Sequence, residues 1–323
     1  MKGIDDASVA LPVRIGISRC LLGTEVRYDG TGAASSFPRQ TLEGLFEYVD
    51  LCPEIGIGMT VPRAPIRLIA RDGGVRAVGV ADPTVDKTDE LNAYVEKVAP
   101  RLADLAGYVF MHNSPSCGVH RVKLYDRADA PPRRSGRGIF AAGVMERFPD
   151  LPVEDAGRLF DDVLRENFVT RVFTYAHWRS FAEEEITAKR LIAFHSAYKY
   201  LLMAHDQQIY KRCGRLLSDL SADVAQISAE YLSLLMQGLT RPATRGSHAN
   251  VLAHLQGYFK KHLDSESRQE LDALVQAFRR GEQPLLAPLT LLKHHLRNYP
   301  HEYLSIQRYL QPHPDHAGLR RSL

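Results

Sequence analysis

The sequence predicts two unlike halves: an α/β N-terminal domain with a mainly parallel sheet, then an all-α C-terminal helical domain. Three observations carry this. The 323 residues give room for about two domains at ~150 residues each. The first half alternates β-rich runs with a long amphipathic stretch. The second half is a succession of segments whose apolar residues recur at helical spacing. Hydrophobic residues make up 45% and charged residues 24%, which excludes disordered, collagenous and low-complexity chains. No apolar run reaches the ~18 residues of a spanning helix. Met1 to Pro12 carries Asp5 and Asp6 and no long apolar core, unlike a secretory signal. A cytoplasmic enzyme or binding protein, not a membrane protein, is the expectation.

In chain order, Val13–Ser18 reads as a strand. Leu45–Val49 is ambiguous and leads into Asp50-Leu51-Cys52-Pro53. Arg67–Ala70, the turn Asp72-Gly73-Gly74 and Val75–Val80 read as a hairpin. Thr84–Ala106 is helical, with Leu91, Tyr94, Val95, Val98 and Leu102 on one stripe and Pro100 expected to kink or divide it. Gly107–Met111 is a buried strand. Strand, helix and strand in this order suggest a Rossmann-like, mainly parallel sheet. Arg147-Phe148-Pro149-Asp150-Leu151-Pro152 reads as a break, since two prolines end whatever precedes them. The domains are therefore expected at 1–150 and 167–323, with a linker over 151–166. In the second half Asn167–Trp178 reads as a helical connector. Thr187–Leu220, Ala222–Leu239, Ser247–Leu263, Ser267–Arg280 and the segment after Pro288 read as helices. A capping box is expected at Ser267-Arg268-Gln269-Glu270.

The four cysteines contain no CxxC pair and do not resemble a secreted disulfide framework. Three of them follow candidate strands: Cys20 after Val13–Ser18, Cys52 after the ambiguous run, and Cys117 after Tyr108–Met111. If those strands are parallel, all three emerge at the carboxyl edge, where open α/β sheets place ligands. Three thiols there suit an iron–sulfur cluster or zinc. The alternative is three ordinary buried cysteines. Cys213 lies in the helical half and reads as a simple thiol.

Five ordered blocks then make the N-terminal half recognisable. They are Cys20-Leu21-Leu22-Gly23, Val26-Arg27-Tyr28-Asp29-Gly30, Cys52-Pro53-Glu54, Val61-Pro62-Arg63 with Pro65-Ile66, and Asn113-Ser114-Pro115-Ser116-Cys117-Gly118. With Gly136-Arg137-Gly138-Ile139-Phe140 they resemble the thiouracil desulfidase (TudS-like) family over roughly residues 12–148. The resemblance implies a [4Fe-4S] cluster held by Cys20, Cys52 and Cys117, with one iron left open. The second half resembles the YbgA-like domain through Phe194-His195, Tyr198–His205, Gly257–Lys260 and Pro288–His294. The combination is similar to the RudS type of desulfidase, which implies removal of sulfur from 4-thiouridine in tRNA, with free thiouracil or thiolated nucleotides as further substrates.

Such chemistry replaces a thiocarbonyl by a carbonyl, without net electron transfer. Glu54, two residues after Cys52, is the expected acid–base group, and a carboxylate beside an anionic cluster is expected to have a raised pKa. Ser114, three residues before Cys117, is expected to relay a proton or bind the pyrimidine. Structural roles are the alternatives: a helix-capping carboxylate and a turn serine. Asn113 and Ser116 flank the same turn and are placed at the pyrimidine edge. Arg63 and Arg27 are assigned to a phosphate, with a surface salt bridge as the alternative for either.

The net charge of +3 hides two acid-free stretches in the helical half. Tyr231–Leu263 carries Arg241, Arg245, Lys260 and Lys261; Gln283–His301 carries Lys293 and Arg297. Phosphate contacts need such cations, while Tyr and His stack on exposed bases, Tyr258 being one neighbour. On sequence alone a solvated helix face explains these six residues as well; the resemblance to a desulfidase of tRNA makes them the candidate tRNA contacts. His195 and His205, about three turns apart on one stripe, read as core histidines bonded to neighbouring helices. Two other readings remain open: a desulfidase confined to free thiolated pyrimidines, and a non-catalytic RNA-binding regulator carrying zinc or a cluster.

Overall fold

The computed structural model describes residues 9–35, 44–71, 73–127, 129–220, 223–314 and 319–320. Two compact units divide the chain, one of residues 10–160 and one beginning at residue 161.

The first unit carries strands β1 (Val13–Ser18), β2 (Phe46–Leu51), β3 (Ile66–Arg71), β4 (Gly74–Gly79), β5 (Tyr108–Phe110), β6 (Val122–Tyr125), β7 (Arg133–Gly136) and β8 (Val153–Asp155). They form two four-stranded sheets. One has the order β2-β1-β5-β8 with every neighbouring pair parallel. The chain moves from β1 to one side and then, at β5, to the other, so the order reverses next to β1. That reversal opens a crevice at the carboxyl edge. Ile15, Ile17, Tyr108 and Phe110 are fully buried along the central strands, and the Tyr108 and Phe110 rings stack at 4.0 Å. The other sheet has the order β4-β3-β6-β7, with the hairpins β3–β4 and β6–β7 joined by parallel β3–β6 pairing.

Helices α1 (Pro53–Gly56), α2 (Thr88–Ala103) and α3 (Ile139–Arg147) complete this unit. Pro100 does not divide α2; it falls in the last turn, where only one hydrogen bond is lost. The expected linker over 151–166 is not one. Its residues 153–155 are β8, paired with β5, and Asp161 caps the next helix by accepting from the Val163 and Leu164 amides. The prolines end α3, but the chain then re-enters the sheet, and the boundary falls at 161. The expected hairpin turn includes Asp72, which lies outside the described residues.

The second unit is helical: α4 (Asp162–Phe181), α5 (Ala188–His205), α6 (Gln207–Leu216), α7 (Val224–Leu239), α8 (Arg245–Gln256), α9 (Ser265–Arg280), α10 (Leu286–Asn298) and α11 (Glu302–Ser305). The expected connector at Asn167–Trp178 is the middle of α4, whose Phe168, Val172 and Phe173 are buried. The single stretch Thr187–Leu220 divides at Asp206, whose carboxylate accepts from the Gln208 and Ile209 amides and starts α6. Asp264, not Ser267, caps α9, and the capping box lies at Thr244 and Ser247 instead. Trp178, Phe194, Tyr198 and Tyr231 pack together in the core. The histidines serve that core: His177 bonds the Tyr198 hydroxyl at 2.8 Å, His195 that of Tyr231 at 3.3 Å, and His205 the Arg241 carbonyl at 2.7 Å. No helix among the described residues is long and apolar enough to cross a membrane.

Candidate functional site

β1 ends at Ser18 and β2 at Leu51, so Cys20 and Cys52 leave the same edge of the parallel sheet. Cys117 reaches that edge through the loop after β5. All three line one cavity of about 470 Å³ in the first unit. Cys20 and Cys117 are buried, Cys52 is half-buried, and none forms a disulfide. Burial pushes the Cys20 thiol up to about 11, with the neighbouring Cys52 adding to it. Burial also raises Cys117, followed by Cys52, Glu54 and Cys20, while a hydrogen bond with Ser18 opposes the rise. The thiols thus feel one another's charge. Cys213 is buried in the second unit.

Local backbone chemistry shapes each loop. Cys20 sits in a single 3₁₀ turn closed by Gly23 at φ 90, a left-handed conformation that favours glycine. Cys52 is the N-cap of α1, with Pro53 at its first position. Around Cys117, the Ser114 hydroxyl oxygen accepts from the amides of Ser116 at 3.2 Å and Cys117 at 3.0 Å. The first turn of α3 then donates to this loop, Ile139 N to Pro115 O at 3.0 Å and Ala141 N to Ser116 O at 3.1 Å. A Cβ at Gly138 would meet the Ser116 carbonyl at 2.5 Å, so the helix approaches this closely only with glycine there.

Glu54 is held on both oxygens. Arg63 Nε donates to Oε2 at 2.7 Å, Arg63 Nη2 donates to the same oxygen, and Ser116 Oγ donates to Oε1 at 2.8 Å. Arg63 also donates to the Val26 carbonyl at 2.9 Å and the Thr60 carbonyl at 3.2 Å. The pair is buried, at 6% side-chain exposure for Arg63 and 14% for Glu54. Arg63 therefore fixes a carboxylate in place of the phosphate contact expected of it, and the pair is not the surface salt bridge weighed against that contact. Ser116, placed at the pyrimidine edge from sequence, is fully buried and turned to Glu54.

Glu54, Ser114, Asn113, Arg63 and Arg27 all line the three-cysteine cavity. Asn113 is exposed and left-handed at φ 57, which its short amide tolerates better than most side chains. Sequence reasoning missed Tyr28, His112 and Lys123, which line the same cavity. It also missed Asp155 on β8, whose two carboxylate oxygens accept from Val119 N and His120 N at 2.9 Å each. That clamp holds the chain just beyond Cys117. No signal in Val153-Glu154-Asp155 marks it.

The donor set fits a cluster. In a cluster each cysteine binds a separate iron, so three thiols spaced around one cavity suit it.

Of the six candidate tRNA contacts in the second unit, Arg241, Arg245, Lys260, Lys261 and Arg297 are exposed, but Arg245 is tied down. Arg245 Nη1 donates to the Phe278 and Gln283 carbonyls at 3.1 and 3.2 Å, and the guanidinium lies over the Phe278 ring. It tethers the end of α9. Lys293 is half-buried and engaged. The His262 and Tyr299 rings stack at 5.5 Å, which brings Lys260 and Lys261 towards Arg297 at the end of α10.

Comparison with known proteins agrees with this division. Residues 15–156 match the family described as 2-thiouracil desulfurase, and residues 199–314 match DUF1722, a protein family of unknown function. The chain is 38% identical over 165 residues to the uncharacterized protein YbgA of Escherichia coli (strain K12), covering 50% of this chain and 95% of that one. It is 32% identical over 132 residues to the uncharacterized protein YbbK of Bacillus subtilis (strain 168), covering 39% and 85%. A solved structure, the [4Fe-4S]-dependent thiouracil desulfidase TudS, aligns with 46% of this chain and 93% of its own at 25% identity and a TM-score of 0.36. The chain belongs to the family of two-domain proteins that join a 2-thiouracil desulfurase domain to a YbgA-like DUF1722 domain.

Proposed function

We propose that this chain is a [4Fe-4S]-dependent desulfidase that converts 4-thiouridine in tRNA to uridine and sulfide in the cytoplasm, and accepts free thiouracil as well. The observation that carries this reading is the meeting of Cys20, Cys52 and Cys117 with a doubly held Glu54 in one cavity of the desulfurase domain.

The reaction adds water to the thiocarbonyl carbon and expels sulfide. One C–O bond is made in full as the C–S bond is lost, and no electrons are gained or lost. When bound to the three cysteines, a cluster supplies an open iron, a soft Lewis acid suited to sulfur. The chain's own residues handle the water. Glu54 Oε1 receives one hydrogen bond from Ser116 and keeps a second lone pair for a proton of the attacking water. Arg63 holds the opposite oxygen, so the carboxylate cannot swing away. The Ser114 oxygen is spent on two amides, but its O–H remains to donate to the pyrimidine. Asn113 presents an amide at the same rim.

Delivery of a large RNA is assigned to the second unit. Lys260, Lys261 and Arg297 supply phosphate contacts, and the exposed Tyr299 offers a face for a base. The test is incubation of iron-replete protein with 4-thiouridine-containing tRNA and, separately, with free 4-thiouracil. Loss of the thiocarbonyl absorbance in both supports the reading. Loss with the free base alone restricts the substrate, and loss with neither rejects it.

A further inference from the structure

A second cavity in the first unit, about 700 Å³, shares the Cys117–Leu124 segment with the first: Cys117 and Lys123 line the first cavity, and His120, Arg121 and Leu124 the second. Arg134 and Arg137 also line the second. Lys123 stands directly opposite Arg134 in the β6–β7 register. Like charges facing each other across an antiparallel pair destabilise it. Neither residue has an ion-pair partner among the described residues. The acids of this hairpin are taken elsewhere, Asp126 by Arg133 at 2.6 Å and Asp129 by Arg127 at 3.9 Å. Arg121 adds a second departure: it is exposed and left-handed at φ 57, a conformation an arginine rarely adopts. Arg137 spends only its Nε, on the Val119 carbonyl at 3.3 Å. Four cations thus form a track that begins in the three-cysteine cavity and continues into the second. Departures from local rules of this kind mark functional positions.

We propose that Arg121, Lys123, Arg134 and Arg137 hold the backbone phosphates of nucleotides flanking the thiolated base, so that the desulfurase domain itself grips a polynucleotide. The inference rests on the desulfidase reading and adds to it a phosphate-binding surface for the RNA substrate. The β6–β7 track carries the strand past the cavity, and the Lys123–Arg134 repulsion is relieved when a phosphate lies between them.

The test compares the full-length, iron-replete protein with its Arg121→Gln/Arg134→Gln variant. Both side chains are exposed and neither lines the three-cysteine cavity. Binding of a short single-stranded 4-thiouridine oligoribonucleotide is measured against salt. Each lost phosphate contact should flatten the slope of log affinity against log salt by ~0.7, so the double variant should lose about 1.4 in slope. Its turnover of the oligonucleotide should fall while that of free 4-thiouracil stays unchanged. Arg134→Gln alone should raise the melting temperature by removing the facing like charge. An unchanged salt slope, or a melting temperature that falls, overturns the proposal. Failure of the parent protein to turn over either substrate rejects the desulfidase reading instead, and the salt slope still reports on the track.

Discussion

Replacing Arg63 with alanine should damage this protein more than any other single arginine change in the first unit. The guanidinium makes two bonds to one oxygen of Glu54 and one each to the Val26 and Thr60 carbonyls. At 6% and 14% exposure, solvent cannot replace it. Removing one partner of a buried pair costs ~3–5 kcal/mol, because the surviving charge is left uncompensated. For a domain of 150–250 residues each kcal/mol moves the melting temperature by roughly 2–4 °C, so a fall of about 6–20 °C is expected. Turnover should fall further, because the freed carboxylate no longer points at the water; the ceiling is the ~10²–10⁴-fold typical of general acid–base catalysis. The assay pairs thermal unfolding with 4-thiouracil turnover. Arg63→Lys should keep part of the stability and lose the two-point hold. Glu54→Gln/Arg63→Ala should melt above Arg63→Ala, since no charge remains stranded. Equal melting temperatures and turnover for Arg63→Ala and the parent would refute the claim that this pair is both buried and positioning.

Other expectations follow from the same geometry. Glu54→Gln should keep the iron content and visible absorption while turnover drops by ~10²–10⁴. Alanine at Cys20, Cys52 or Cys117 should abolish cluster absorption, whereas Cys213→Ala should retain it; iron analysis of the four variants checks this. In the helical unit, burial holds His177 down at about 4 and His248 at about 3. Their stabilisation is present above the unfolded value of 6.5 and lost as pH falls towards the folded values. At about 1.4 kcal/mol per pKa unit, each contributes up to a few kcal/mol. For Glu166, burial alone would raise the pKa, but a hydrogen bond with His313 and the charge of Arg320 outweigh it and hold the group well below the carboxylate range. Its stabilisation is likewise lost as pH falls below 4.5. Acid titration of helical circular dichroism should show this loss, and Glu166→Gln should shift it. Reversal of Lys260, Lys261 and Arg297 to Glu should weaken tRNA binding and flatten its salt slope while sparing free 4-thiouracil. Arg245 is excluded from that set because its reversal would loosen α9.

The edge that gathers the cysteines was legible because β1 and β5 announce themselves as apolar runs and Cys20 and Cys117 follow them. β2 was ambiguous, since Glu47 and Asp50 dilute its pattern, yet its cysteine leaves the same edge as Cys20 once β1 pairs with it. The second sheet was half visible. β3–β4 has a glycine turn between apolar runs, but β7 reads Arg133-Arg134-Ser135-Gly136, and an edge strand of cations has no apolar signature. β8 is three residues long and follows two prolines, so it read as part of a linker. Asp155 and Ser18 act on backbone and thiol across the fold, and nothing in their neighbours points there. The partner of Arg63 was not legible either: Glu54 is nine residues away, and only the folded loop brings them together. In the helical half the apolar stripe runs unbroken through Asp206, because a surface cap leaves the spacing of core positions undisturbed. Six basic residues looked alike in sequence; that Arg245 ties down a helix end depends on which carbonyls lie nearby.

The most direct test is a single-turnover reaction of iron-replete protein with 4-thiouridine-containing tRNA in ¹⁸O-enriched water, followed by mass analysis of the nucleosides and a sulfide assay. The account predicts uridine carrying one ¹⁸O at C4, one sulfide released for each 4-thiouridine lost, and no requirement for a reductant. Unchanged 4-thiouridine, or uridine formed without oxygen from water, would contradict it.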